Sequence, residues 1–188
     1  MGPIIIVGLA RSGTTFLAKC LNDAGISMWS DKNEPDFCED TKIVAINGLQ
    51  NQLNKNKYVK DLIPSEEFVA ALNAYKTRME RIHRGKLYGF KEPRIIYFYD
   101  IYKNIFPNAK FICCIRNPIS ATKSMMNHKG YTNFDDVYKN TCMTQTLVQD
   151  GMYLFNYDGN IRAEQEAITE FVGVEVNLVK YWGQKCKS

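Results

Sequence analysis

Arg11, Lys91 and Arg116 are the residues with the clearest chemistry, because each stands where a short apolar run gives way to polar chain. Arg11 lies inside GLARSGTTFL, Gly8 to Leu17, a G-x-x-x-x-G loop between an apolar run and a helical pattern. Glycines at both ends of such a loop let the backbone approach a phosphate. The helix start at Thr14 adds free N–H groups and the positive end of a dipole. A nucleoside-triphosphate loop carries lysine after its second glycine, and a strand-end carboxylate holds Mg²⁺. Here Thr14 takes the lysine's place, and the run KFICCI ends in Arg116. An arginine there repels Mg²⁺ and grips an anion, bidentately if it is a phosphate. The pattern predicts a phosphate ligand held by fixed cations, with no metal required.

The positioning elements follow from hydrophobic periodicity. Ile4–Val7, Leu87–Phe90, Lys110–Ile115 and Met152–Tyr157 read as strands. Helices are expected over Thr14–Ala24, Thr41–Leu53, Ser65–Arg84, Ile95–Ile105, Phe134–Gln149 and Ala163–Phe171. Another starts at Asn117-Pro118, with Asn as cap and Pro at the first position. Residues 27–40 read as a polar loop over the site. Strands alternating with helices predict an α/β fold, a three-layer sandwich with a mostly parallel central sheet. Ligands of such sheets bind beyond the carboxyl ends of the strands, where the three cations stand.

The 188 residues predict one domain over 1–188, with 45% hydrophobic and 23% charged residues. A net charge of +4 suits a polyanionic small molecule and is too weak to argue for nucleic acid. The six cysteines form no C-x-x-C pair, and Cys113 and Cys114 sit within an apolar run. They read as reduced core thiols, which predicts a cytoplasmic setting. No apolar run approaches the ~20 residues of a membrane span, and the N-terminus lacks signal-peptide features.

Several segments resemble sulfotransferases that use 3′-phosphoadenosine 5′-phosphosulfate (PAPS), most nearly the tyrosylprotein-like and bacterial branches. GLARSGTTFLAKCL resembles their 5′-phosphosulfate loop. FPNAKFICCIRNPISATKSMM resembles their 3′-phosphate segment, YGFKEPRI their K-[DE]-P-R segment, and FCEDTKIVAIN their acidic segment. YLFNYDG with EAITEFVGV resembles the last β–α unit of that family. The resemblance runs over most of the chain, in matching order. It implies a P-loop-type α/β fold and sulfuryl transfer from PAPS to an acceptor hydroxyl or amine, leaving 3′-phosphoadenosine 5′-phosphate (PAP).

Carried over residue by residue, Ser12, Gly13, Thr14 and Thr15 cradle the 5′-phosphate. Arg11 and Lys91 face the transferred group, and Arg116 and Ser124 hold the 3′-phosphate. The acceptor proton needs a base; Glu39 is favoured over Glu34 and Asp40 because CEDT best resembles the acidic segment. Glu92 is expected to be a structural ion-pair partner. Many members have lysine where Arg11 stands, and the histidine of the small-molecule branch has no counterpart after Lys91. The chain is short for the family, and its C-terminal cofactor clamp is not identifiable. The acceptor is a small molecule, sugar or peptide. The alternatives are a non-catalytic module that binds PAP or PAPS, and a P-loop kinase of small molecules.

Overall fold

A computed structural model describes residues 2–30, 38–54, 63–129 and 132–182. The central strand β1, Ile4–Gly8, is buried along its whole length. It is apolar throughout because both faces of the sheet are covered. Side chains alternate across it. Ile5 and Val7 join one cluster with Phe68, Leu72, Phe90 and Phe111, and Ile4 and Ile6 join the other with Leu17, Leu21, Ile112 and Phe155. Truncating one of the buried phenylalanines, such as Phe90, to alanine costs about 3–5 kcal/mol.

The strands β1, β2 (Gly89–Lys91), β3 (Lys110–Ile115) and β4 (Tyr153–Asn156) run in the order β2-β1-β3-β4, and every pairing is parallel. Helices α1 (Thr14–Asp23) and α7 (Ile161–Val172) cover the Ile4 and Ile6 face. The opposite face carries α2 (Thr41–Asn54), α3 (Glu66–His83) and α4 (Tyr99–Ile105). Helices α5 (Pro118–Lys129) and α6 (Phe134–Gln145) pack on each other. The chain leaves β1 towards β2 and returns on the far side of β1 as β3. The loops after β1 and β3 therefore part, and this strand-order reversal opens a crevice at their carboxyl ends.

Local rules account for most boundaries. Ser65 caps α3 by accepting from Phe68 N at 3.2 Å, and Asn117 caps α5 by accepting from Ile119 N and Ser120 N. The second strand lies later than its apolar run, at Gly89–Lys91, because only Gly89 passes Ile4. A Cβ there would sit 2.4 Å from the Ile4 carbonyl oxygen. Residues 95–105 are not one helix: a 3-10 helix, Pro93–Phe98, precedes α4. Its start is set by Pro93 and by the Glu92 carboxylate, which accepts from Arg94 N at 3.1 Å. Helix α6 stops at Gln145, where Leu147 N turns back to the Thr144 carbonyl.

The last helix among the described residues, α8 (Val179–Trp182), is short and has no signal in the periodicity. It is held from outside, since the Gln165 side chain accepts from Leu178 N at 2.8 Å. Cys20, Cys113 and Cys114 are buried thiols; burial pushes Cys20 and Cys113 up to about 12. No helix among the described residues is long and apolar enough to cross a membrane.

Candidate active site

The loop after β1 is shaped by backbone that few residues adopt. Gly8 has φ 129°, Arg11 φ 67° and Gly13 φ 89°. A Cβ on Gly8 would lie 2.5 Å from the Cys114 carbonyl oxygen, and one on Gly13 would lie 2.1 Å from Cδ2 of Tyr157. Ser12 is buried and closes the loop by donating from Oγ to the Leu9 carbonyl at 2.6 Å. Gly13 caps α1 and has no side chain with which to accept from the first turn. Gly13→Ala combines a left-handed backbone with the clash against Tyr157. It is expected to destabilise the fold by at least about 1–2 kcal/mol, read as a lower denaturation midpoint.

Two arginines and a serine meet at the ends of β1 and β3. Arg11 Nε donates to Ser124 Oγ at 3.0 Å, and Arg116 Nη1 donates to the Arg11 carbonyl at 3.0 Å. The Arg116 guanidinium lies over the Tyr157 ring, 5.1 Å from its centroid. Its Nε is 3.5 Å from Asp158 Oδ1, an ion pair without hydrogen-bond alignment, so this buried N–H has no hydrogen-bond acceptor among the described residues. Asp158 is turned instead to Asn117 N, at 2.9 Å from Oδ2. A buried guanidinium N–H without an acceptor suits an anion. Beside it a hollow of about 560 Å³ opens between Arg116, Asn117, Gln145 and Asn156.

A second group forms at the end of β2. Lys91 is 1% exposed. Its Nζ donates to Glu39 Oε1 at 2.8 Å and lies 3.5 Å from Thr15 Oγ1, at the start of α1. Lysine is buried this way only with a partner. Glu39 keeps a partly exposed side chain, so its carboxylate touches both a fixed cation and solvent.

Its neighbour Asp40 does different work. Oδ1 accepts from Lys42 N and Ile43 N, and Oδ2 accepts from Ser30 N and the Tyr75 hydroxyl. Burial and then the Asp40 charge push the Tyr75 phenol well above its ordinary value, so it remains a donor. Asp40 is the cap of α2. Asp40→Ala is expected to lower stability by about 0.5–2 kcal/mol for the lost cap, more with the Tyr75 donor stranded. Nucleotide affinity of the folded fraction should stay intact.

Glu92 is also structural. It is buried, pairs with Arg94 Nε at 2.8 Å, and accepts from Asn47 Nδ2, while Asn47 Oδ1 accepts from the Tyr102 hydroxyl at 2.7 Å.

Between the first half of the loop, the 3-10 helix and helices α5 and α6 lies a cavity of about 200 Å³. Of the aromatic residues from 88 to 106, Tyr97 alone lines it; Tyr88, Phe90, Phe98, Tyr99, Tyr102 and Phe106 belong to the core.

The structure thus gathers Arg11, Arg116 and Ser124 in one group and Lys91, Glu39 and Thr15 in another, with Arg11 to Thr15 joining them as one loop. It sets Asp40 and Glu92 apart as scaffold. Glu34 and the His128 side chain lie outside the described residues, and His83 ends α3 stacked on Tyr88. Sequence alone assigns no individual role to Tyr157, Asp158, Arg94 or Tyr97, although Arg94 lies in the K-[DE]-P-R segment, Tyr97 among the aromatics of 88–106, and Tyr157 and Asp158 in YLFNYDG, directly after β4.

Comparison with known proteins separates fold from reaction. A sugar kinase from Janibacter sp. superposes with TM-score 0.54 at 10% identity, covering 93% of this chain and 95% of that one. A shikimate kinase from Bacteroides thetaiotaomicron gives 0.53 at 12% identity, covering 92% and 98%. The sulfotransferase STF9 from Mycobacterium avium gives 0.50 at 14% identity, covering 91% of this chain and 63% of that one. These likenesses show a shared α/β architecture and leave the reaction open. No curated protein sequence matches significantly. The kinase-like frame carries Thr14 where a kinase loop has lysine, and arginine at the end of β3. In agreement with those substitutions, the sulfotransferase family model matches residues 3–165, and the chain belongs to the sulfotransferase family.

Proposed function

We propose that the protein transfers a sulfuryl group from PAPS to an acceptor hydroxyl or amine, and that residues 1–188 act as one domain. One observation carries the reading: Arg11, Lys91 and Arg116 converge from the ends of three neighbouring strands on one phosphate-type loop, with Ser124 bonded to Arg11. The residues present fit this donor. Gly8 and Gly13 let the loop pack where a Cβ would strike Cys114 and Tyr157, α1 offers its N-terminus, and the Arg116 Nε–H is buried without an acceptor among the described residues. Buried thiols support a reducing, cytoplasmic setting.

In this reading Ser12, Gly13, Thr14 and Thr15 hold the 5′-phosphate through backbone N–H groups and hydroxyls. Arg116 and Ser124 hold the 3′-phosphate. When bound, PAPS supplies the sulfuryl group, and its sulfur–oxygen bond to the 5′-phosphate breaks with the electron pair passing to that phosphate oxygen. Arg11 and Lys91 stabilise the charge gathering there, the largest expected source of acceleration. Glu39 takes the acceptor proton as the acceptor atom bonds to sulfur. The Lys91–Glu39 contact keeps base and cation in one place.

A kinase would need a divalent cation beside the Thr15 hydroxyl, where Lys91 puts an ammonium group. The deciding experiment measures PAP and Mg-ATP binding together with transfer of labelled sulfate from PAPS to a broad acceptor panel. PAP should bind more tightly than Mg-ATP, and label should appear on an acceptor. Tighter Mg-ATP binding sinks the proposal. Tight PAP binding with no transfer to any acceptor leaves a nucleotide-binding module instead.

A further inference from the structure

Resting on that reading, we propose that the cavity beside the loop receives a small hydroxylated acceptor bearing a carboxylate, and that Arg94 selects it. The cavity is small, about 200 Å³, where drug-sized ligand sites run to roughly 300–1,000 Å³. It takes a single ring or a short chain, not a long polymer segment. Leu9, Ala10, Pro93, Met125 and Val137 give it apolar walls.

Its hydroxyl groups are largely committed within the protein. Thr141 Oγ1 donates to the Val137 carbonyl at 2.8 Å, and Thr144 Oγ1 donates to the Asn140 carbonyl at 2.8 Å while meeting the Tyr97 hydroxyl at 3.1 Å. With the Asn140 amide as the one other polar side chain among the described residues besides Arg94, such a lining satisfies few of the many hydroxyls of a sugar.

Arg94 is the one charged residue lining the cavity among the described residues. Its side chain is 41% exposed, with Nε tied to Glu92 Oε1 at 2.8 Å. Glu92 is in turn fixed by Asn47 and by Arg94 N. The guanidinium is therefore oriented through Nε. Its two η nitrogens donate no hydrogen bond among the described residues, leaving a planar fork of donors at the cavity. That fork matches a carboxylate in geometry and charge. Gly8, Leu9 and Ala10 of the phosphate-type loop line the same cavity, so an acceptor anchored on Arg94 lies against that loop.

The test uses matched acceptors: 4-hydroxyphenylacetate, 4-hydroxybenzoate and 3-hydroxybutyrate, each beside its methyl ester. With PAPS, the wild type should prefer at least one acid over its ester by about 10- to 100-fold in kcat/KM, through KM. Arg94→Gln should bring that ratio close to one, and Arg94→Lys should keep part of it. Calorimetry on PAP-loaded protein gives a readout free of turnover: the acid binds the wild type and fails to bind Arg94→Gln. Should Arg94→Gln fold poorly, Arg94→Lys, which preserves the Glu92 pair, decides by retaining an acid preference smaller than the wild type's.

Esters serving as well as acids would overturn the proposal. So would transfer confined to sugars or to peptide tyrosine, or an acid preference that survives Arg94→Gln. Acid binding that depends on Arg94 without any sulfuryl transfer would leave the cavity assignment standing and remove the sulfotransfer reading. The two failures are therefore separate.

Discussion

Arg116→Ala is expected to weaken PAP binding by about 10- to 150-fold, the cost of losing a charge-assisted phosphate contact of roughly 1.5–3 kcal/mol. The prediction is sharper than a simple loss, because Arg116 also holds the Arg11 carbonyl and packs over Tyr157. If its work is done on the 3′-phosphate, ATP affinity should change much less, since ATP lacks that group. If its work is to hold the loop, both ligands should weaken together. Equal losses would therefore remove Arg116 from the 3′-phosphate. The ion pair with Asp158 contributes little to the comparison: Asp158 is 36% exposed and the pair lacks hydrogen-bond alignment. Arg116→Lys keeps the charge and loses the fork, so its affinity should fall between wild type and alanine.

Glu39→Gln should lower turnover about 10²- to 10⁴-fold, the usual contribution of a positioned general base. Its effect on nucleotide binding has the opposite sign. Lys91 is buried and Glu39 is its counter-charge at 2.8 Å. Glutamine keeps the shape and removes the charge, so more of the Lys91 ammonium's attraction is available to the nucleotide phosphate. PAP should bind as tightly as in wild type or more tightly. The ligand-free variant should be less stable, by less than the ~3–5 kcal/mol of a fully buried pair, because Glu39 is partly exposed. PAP should then raise the midpoint of the variant more than that of the wild type. Unchanged turnover would remove Glu39 from the chemistry. Loss of turnover in Glu34→Gln but not in Glu39→Gln would pass the role to Glu34. Weaker PAP binding in Glu39→Gln would instead make the pair a support of the loop.

What the sequence made legible was local. The glycines around Arg11, the apolar strand before Arg116 and the Asn117-Pro118 start of α5 are signals spanning a few residues, and each element forms where expected. Alternating strands and helices sufficed for a parallel α/β sheet. Less was legible where distant elements set the outcome. Glu39 and Asp40 are adjacent and chemically alike, yet one reaches Lys91 and the other turns inward to cap α2. Only the packing of α2 against its neighbours separates them. The 3-10 helix at Pro93–Phe98 depends on a Glu92 carboxylate whose position is fixed by Asn47, far away in sequence. The cavity beside Arg94 is assembled from four segments; the phosphate-type loop and the K-[DE]-P-R segment are motifs, but nothing in either shows that residues of α5 and α6 close a cavity against them. Helix α8 is too short to show a period and rests on a side chain of α7.

The internal ties of the site cations bear on the entropy of recognition. A free arginine or lysine gives up as much as ~1.5–2 kcal/mol of rotamer freedom when it is immobilised. Arg11 is held by Ser124, Arg116 by the Arg11 carbonyl and the Tyr157 ring, and Lys91 by Glu39. For all three, most of that ordering is already incurred when the chain folds. An arriving phosphate ester meets side chains whose disorder has been removed in advance, and more of the attraction between opposite charges remains as affinity.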